Sequence, residues 1–336
     1  MYIISKNTIF VNPHIYLNMI NIIITIFGGI TLFLFGLNIF KSSLFNITNN
    51  RLKNLLSRFV KNNFRAFLLG IITTAIMQSS SGITAISIVL LSNNLLDLKS
   101  TILIILGANI GTCITPFIFT FNIGKYSLLF IIVGYFFSIL KKNKFKFIGN
   151  IIISLGLIFL GLNFLDNGLD NLSKNIFLTQ LLSISKSGTL SLLISTTITT
   201  LLQSSSATIA ITQSLYQAKI ITLTNAIFFM LGANIGTTIS SFSYANSLNN
   251  EAKIAVKINI ILNILGSLVF IIFLKPYTNF LIRLEKVYSL SKELTIAYSH
   301  LIFNIISSFV IFIFFNQLYN LLTKKFFRVD TNIKIC

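Results

Sequence analysis

From Met19 to Phe40 no residue carries a charge, and apolar stretches of similar length recur along the 336 residues that follow the same alphabet of Ile, Leu and Phe. A helix needs about 20 such residues to cross the hydrocarbon of a bilayer. Inside hydrocarbon every backbone N–H and C=O must be paired within the protein, so runs of this kind fold as helices. Hydrophobic residues make up 54% of the chain and charged residues only 10%, against roughly 25% charged in a soluble domain. A soluble globular enzyme is excluded, and the expected fold is an all-α polytopic membrane protein.

The 26 Lys and Arg outweigh 7 Asp and Glu, for a net charge of +19. Such an excess invites a nucleic-acid reading, but here the basic residues sit between apolar runs and read as loop charges of a membrane protein. Residues 1–19 form an N-terminal segment leading into the first membrane helix. Its apolar continuation exceeds the 7 to 15 residues of a signal-peptide core. Cys113 and Cys336 offer no disulfide framework or zinc spacing. With no Trp in the chain, Tyr126, Tyr135, Tyr277 and Tyr298 are the expected interface anchors.

Self-similarity organises the rest. QSSS stands at Gln78 to Ser81 and again at Gln203 to Ser206, and GANIGT at Gly107 to Thr112 and again at Gly232 to Thr237, both at an offset of 125 residues. The same shift carries Gly36-Leu37-Asn38 onto Gly161-Leu162-Asn163. The chain therefore divides into repeat 1 over 20–140, repeat 2 over 141–265, remaining membrane helices over 266–315, and a cytoplasmic C-terminal tail over 316–336.

Each QSSS is flanked by apolar arms too short to span, since twelve residues from Ala66 to Met77 make only about 18 Å of helix. A re-entrant helical hairpin fits, and one long tilted helix is the competing reading. With both hairpins re-entrant and spans near 20–40, 101–121, 126–140, 147–165, 225–245, 258–274 and 296–315, one side collects 17 of the 26 basic residues. If the QSSS segments span instead, the asymmetry weakens to 15. The hairpin topology also makes the two repeats inverted, a recurring design of secondary transporters.

A hairpin tip at QSSS leaves unpaired N–H groups at the start of one helix and unpaired C=O groups at the end of the other. Helix N-termini attract anions, while carbonyl, hydroxyl and carboxamide oxygens suit a hard cation such as sodium. Ser and Thr that merely bond back to their own helix are the bland alternative. Duplication at one spacing, with Thr73, Thr74 and Thr84 beside one copy and Thr196, Thr197, Thr199, Thr200 and Thr208 beside the other, favours a site. GANIGT contains GxxxG, which more often marks close helix packing. Its central Asn and terminal Thr, placed 29 residues after the start of each QSSS, lead us to expect a broken helix opposite each tip, adding Asn109, Thr112, Asn234 and Thr237 to the site.

The motif-bearing segments carry no Asp, Glu, Lys or Arg at their centres, so the site reads as neutral in its side chains and proton coupling is disfavoured. An intramembrane hydrolase would need an activated nucleophile, yet His14 and His300 have no Ser-Lys or paired-Asp context, and His300 reads as a polar helix-end residue. A channel or a non-transporting scaffold stays open at this point.

These residues resemble the type II sodium/phosphate cotransporter family, bacterial members included. The carrying segments are FGGITLFLFGLNIF at 27–40, TTAIMQSSSGITA at 73–85, LGANIGTCITP at 106–116, TLLQSSSATIA at 200–210 and LGANIGTTIS at 231–240, with NIILNILG at 259–266 and HLIFNII at 300–306. The resemblance implies a multi-pass cell-membrane transporter, in the inner membrane of a Gram-negative cell, that moves inorganic phosphate with sodium as coupling ion by alternating access. Phosphate export and transport of another small oxyanion are the alternatives. It further implies that Gln78, Ser79, Ser80, Ser81, Gln203, Ser204, Ser205 and Ser206 hold phosphate and sodium, with Asn109, Thr112, Asn234 and Thr237 alongside. Sodium would be shared among Gln78, Ser81, Gln203, Ser206, Asn109 and Asn234. No other cofactor, no enzymatic activity and no nucleic-acid partner is expected.

Overall fold

The computed structural model describes residues 13–59, 62–121, 123–140, 142–174 and 187–332. Most of the expected N-terminal segment, residues 1–12, and the end of the tail with Cys336 lie outside the described residues. Helices account for nearly all of the rest, and no strand occurs among the described residues. The long helix α1 (Pro13–Phe59) precedes a pair of short ones, α2 (Asn63–Met77) and α3 (Ser80–Ser92). Helices α4 (Leu98–Gly111), α5 (Ile114–Phe119), α6 (Ser127–Ser138) and α7 (Asn143–Ser173) follow. A second short pair, α8 (Gly188–Leu202) and α9 (Ser205–Gln217), leads to α10 (Leu223–Ala245), α11 (Asn250–Ile272), α12 (Leu274–Val287), α13 (Lys292–Ile313) and α14 (Phe315–Asn332).

Among the described residues, six segments are long and apolar enough to cross a membrane: Met19–Asn46, Leu98–Phe119, Asn143–Ser173, Leu223–Ala245, Asn250–Ile272 and Lys292–Ile313. Phe27, Leu128, Phe136, Leu193, Val269 and Ile313 on or beside them are exposed, as a lipid-facing surface requires and water would not tolerate. The expected span at 126–140 is short, the 12-residue α6 of about 18 Å, and packs antiparallel on α7 through Gly134, Gly149 and Gly156. Tyr277 is buried and donates its hydroxyl to the Ser299 carbonyl at 2.8 Å, so it anchors α12 to α13 rather than facing an interface. His300 is likewise not a helix-end residue, since it is fully buried within α13.

The expected QSSS hairpins are present, and glycine contacts show how they dock. A Cβ on Gly107 would strike the backbone of Phe67 and Ile71, and one on Gly111 would strike Ile71, Thr74 and Ala75. Contacts that advance together along both helices mean that α2 and α4 run parallel, so α3 between them must run back. The second repeat copies this: Gly232 faces Leu192, Ser195 and Thr196, and Gly236 faces Thr196, Thr199 and Thr200, setting α8 parallel to α10. Close approach also brings hydroxyls onto backbone, with Thr196 and Thr200 donating to the carbonyls of Gly232 and Gly236 at 3.2 and 3.3 Å.

The expectation that each GANIGT breaks its helix holds for the first copy, where α4 stops, and is corrected for the second. The second copy lies inside the uninterrupted α10. The first ends α4 at Gly111, but Thr112 and Cys113 keep right-handed dihedrals before α5 resumes with Pro116 in its first turn. Small residues here admit a neighbouring backbone, which is the packing role of GxxxG.

Between the repeats, α1 and α7 meet through Gly36 and Gly161, which are equivalent at the 125 offset. A Cβ on Gly36 would strike Ser154 and Ile158, and a Cβ on Gly161 would strike Gly29 and Phe33. Positions 29 and 154, and 33 and 158, are also equivalent. The contact is thus reciprocal, as at a two-fold axis, and α1 runs antiparallel to α7. The sequence boundary at 265 falls inside α11.

Valine at Gly107 or Gly232 is expected to lower stability by about 1–3 kcal/mol or more, because backbone cannot move aside as a side chain can. Alanine at Gly28, where nothing lies within 4 Å, should shift stability by less than about 1 kcal/mol. Thermal unfolding in detergent micelles compares the three.

Candidate functional site

The two tips have the same backbone. Gln78 has φ 53° and ψ 28°, and Gln203 has φ 52° and ψ 30°. The next residues, Ser79 at −149° and 95° and Ser204 at −150° and 103°, are extended. One left-handed residue stops the first arm and one extended residue starts the second, so two residues reverse the chain. A non-glycine residue at positive φ is uncommon and costs of order 1 kcal/mol. Both equivalent glutamines adopt it, where glycine would serve the turn better if turning were all that mattered.

Serine completes the turn. Ser79 Oγ accepts from the Gly82 N–H at 3.2 Å, and Ser204 Oγ from the Ala207 N–H at 3.3 Å. These are N-caps of α3 and α9, and the first N–H groups of each helix have no acceptor within it. The tips meet at one small cavity of about 10 Å³, lined by Lys41, Gln78 to Ser81, Thr112, Gln203 to Ser206 and Thr237. Ten of the twelve residues expected at the site thus converge there.

Asn109 and Asn234 do not line this cavity. Asn234 donates to the Met230 carbonyl of its own helix at 3.0 Å, which the unbroken α10 makes available. Asn109 reaches across to Asn263 on α11 at 3.4 Å, and Asn263 in turn donates to Asn259 Oδ1 at 3.0 Å.

A second correction concerns charge, because the expected neutral site contains Lys41. This residue ends the charge-free run and reads as a loop charge, yet α1 continues without a break to Phe59. Its side chain stays on the helix and donates to Ser204 Oγ at 2.9 Å, its methylene stem crossing apolar surface as lysine stems do. The signal that would have found it is the repeat offset, which places Asp166 at the equivalent position.

Both glutamine carbonyls are held, by unlike partners. Thr115 donates to Gln78 Oε1 at 2.6 Å, and Tyr244 donates to Gln203 Oε1 at 2.6 Å. Gln78 also donates from Nε2 to the Ala75 carbonyl at 2.5 Å. A further cavity of about 480 Å³ opens beside the tip of the first hairpin, lined by Lys41, Ser42, Phe45, Asn46, Met77, Ser79 and Gly82. Lys41 and Ser79 therefore face both spaces.

The family model described as Na+/Pi-cotransporter matches this chain twice, over residues 32–167 and 161–284. The chain belongs to that family. The duplicated match falls on the two halves that carry the hairpins. YqeW of Bacillus subtilis is 30% identical over 90% of this chain and 97% of its own length, and its name states no activity. YjbB of Salmonella typhimurium, whose name assigns it provisionally to inorganic phosphate export, is 28% identical over 83% of this chain. The chain spans only 51% of YjbB. The human sodium-dependent phosphate transport protein 2B is 33% identical over 28% of this chain and 14% of its own length. No solved structure matches.

The unlike glutamine partners give a graded expectation. Gln78 is buried, so Thr115→Val leaves its carbonyl without water and should cost about 1–3 kcal/mol. Gln203 is exposed, so Tyr244→Phe should cost less than about 1 kcal/mol because water replaces the hydroxyl. Denaturation midpoints of the purified variants rank the two.

Proposed function

We propose that this protein is a sodium-coupled secondary transporter of inorganic phosphate that works by alternating access. The observation that carries this reading is the convergence of two identically folded hairpin tips and one lysine on a single cavity. The first N–H groups of α3 and α9, the serine hydroxyls and the Lys41 ammonium all suit an oxyanion, while helix dipoles at both N-termini add positive potential. The glutamine carboxamides, with the serine and threonine oxygens, suit sodium at the same place.

A cavity of about 10 Å³ admits one water-sized sphere. Phosphate therefore enters only as the tips separate, which is what alternating access requires. The 480 Å³ cavity beside Lys41 supplies one approach. The antiparallel, reciprocal contact of α1 with α7 supports an inverted relation between the repeats, so that a second approach would open on the opposite face. The distribution of basic residues supports a C-terminal tail on the cytoplasmic side of the cell membrane. Sodium bound beside the anion would raise phosphate affinity, and phosphate would raise sodium affinity by the same factor.

Export of phosphate is the second reading, favoured by the naming of YjbB. It uses the same site and differs in the gradient that drives it. Labelled phosphate flux in reconstituted vesicles, with sodium replaced by potassium and with either sign of gradient, separates import from export and a carrier from a channel. Gln78→Ala and Gln203→Ala are each expected to abolish sodium-dependent flux while the protein remains in the membrane, and full activity in both would sink the site. Lys41→Met should raise the half-saturating phosphate concentration roughly tenfold or more, since a charged hydrogen bond is worth about 1.5–3 kcal/mol. Lys41→Arg should recover part of that loss.

A further inference from the structure

A charged concavity away from the hairpin tips is a cavity of about 410 Å³. Its lining includes Asp166 and Asp170 from α7, Glu293 from the first turn of α13, Gln213 and Gln217 from α9, and Lys125. In a chain with only 7 acidic residues against 26 basic ones, three carboxylates on one wall set a strongly unusual local charge. Lys125 offsets one of them. The neighbouring Lys292 lies over the Tyr216 ring at 5.1 Å instead. Asp166 experiences the charges of both Asp170 and Glu293, with Ser214 hydrogen-bonded beside it.

A second observation points to a ligand. Gln213 is only 3% exposed, and its Nε2 donates to the carbonyls of Pro116 at 3.1 Å and Glu293 at 3.0 Å. Those two bonds fix the carboxamide, and its Oε1 is left buried with no hydrogen-bond partner. An orphaned carbonyl oxygen is costly in a protein interior, and the side chain that carries this one lines the acidic cavity. The repeat equivalent of Gln213 is Ile88, fully buried in the core. The polar wall is therefore peculiar to the second half.

Its position links it to the transport site. Helix α9 begins at Ser205 in the tip cavity and reaches Gln213 eight residues later, roughly 12 Å away. Its C-terminal carbonyls, whose dipole end is negative, point toward the acidic cavity through Gln217. Because α1 and α7 are antiparallel, with Gly29 against Leu165 and Ile26 against Gly168, Asp166 stands level with about Gly28. That is about thirteen residues, roughly 20 Å, from Lys41 along α1.

We infer that this cavity is a collecting site for a hydrated monovalent cation, sodium in the reading above, which feeds the hairpin tips along α9. The carboxylates do not converge into a metal-ligating cluster among the described residues, so the ion is concentrated there with its water rather than held tightly. The anion and the cation then approach the tips from opposite ends of the α1–α7 pair, one past Lys41 and the other past Asp166.

This inference rests on sodium coupling, and two measurements keep the two apart. In reconstituted vesicles, the double variant Asp166→Asn with Asp170→Asn should raise the half-saturating sodium concentration for phosphate flux roughly tenfold. Phosphate half-saturation at saturating sodium should not change. An unchanged sodium curve overturns the collecting site while leaving coupling intact. Independently of flux, sodium NMR line broadening by the purified protein should be reduced in the double variant and in Glu293→Gln. Equal broadening by wild type and both variants overturns the proposal even if flux proves independent of sodium. Glu293→Gln lies on a different helix from the paired aspartates and serves where the double variant fails to insert.

Discussion

A helix that ends within a bundle leaves backbone groups without partners of their own helix, and this chain places four such ends at its two QSSS turns. The arms α2 and α8 stop at Met77 and Leu202, and α3 and α9 start at Ser80 and Ser205. Each end demands partners. Much of the architecture supplies them. The serine hydroxyls cap the starting helices, the left-handed glutamines close the finishing ones, and the two tips lie together at one cavity. What the caps leave over is a set of N–H donors and carbonyl acceptors held in protein, which is the raw material of an ion site.

Placing two such tips side by side requires that the hairpins be held rigidly against something continuous. The glycines of GANIGT do this by letting α2 lie backbone to backbone on α4, and α8 on α10. In hydrocarbon there is no hydrophobic drive to press helices together, so close approach and interhelical hydrogen bonds must do it. The second repeat adds Thr196 and Thr200 donating to glycine carbonyls, whereas Ile71 and Ala75 at the equivalent positions of the first cannot. The two hairpins are therefore alike in backbone and unlike in how firmly they are attached.

The fold class, the two hairpins and the meeting of ten of the twelve expected residues at one cavity were readable from the chain because each rests on a local signal repeated at a fixed offset. The rest depended on distances that sequence does not contain. GxxxG with a central Asn is the same string whether the helix breaks or packs, and only the structure shows that α4 stops at the first copy while α10 runs on through the second. Asn109 and Asn234 stand off the tip cavity. Lys41 was missed because a charge just past an apolar run looks like a loop residue, and nothing local says that α1 continues. Tyr277 and His300 were read as edge residues from their place in the chain, while α12 and α13 bury both.

Divergence between the repeats carries the last step. A perfectly duplicated, inverted protein would present the same chemistry to both faces of the membrane and could not distinguish an anion's route from a cation's. Here the equivalent positions 41 and 166 carry opposite charges, and 88 and 213 are a core isoleucine and a fixed glutamine. Backbone symmetry is conserved where the tips must meet, at Gln78 with Gln203 and Ser79 with Ser204, and side-chain symmetry is lost along the approaches. Under the proposed function, symmetry in the one place and its absence in the other answer to a single requirement: two ions of opposite sign arriving at one site each need a field of their own on the way in.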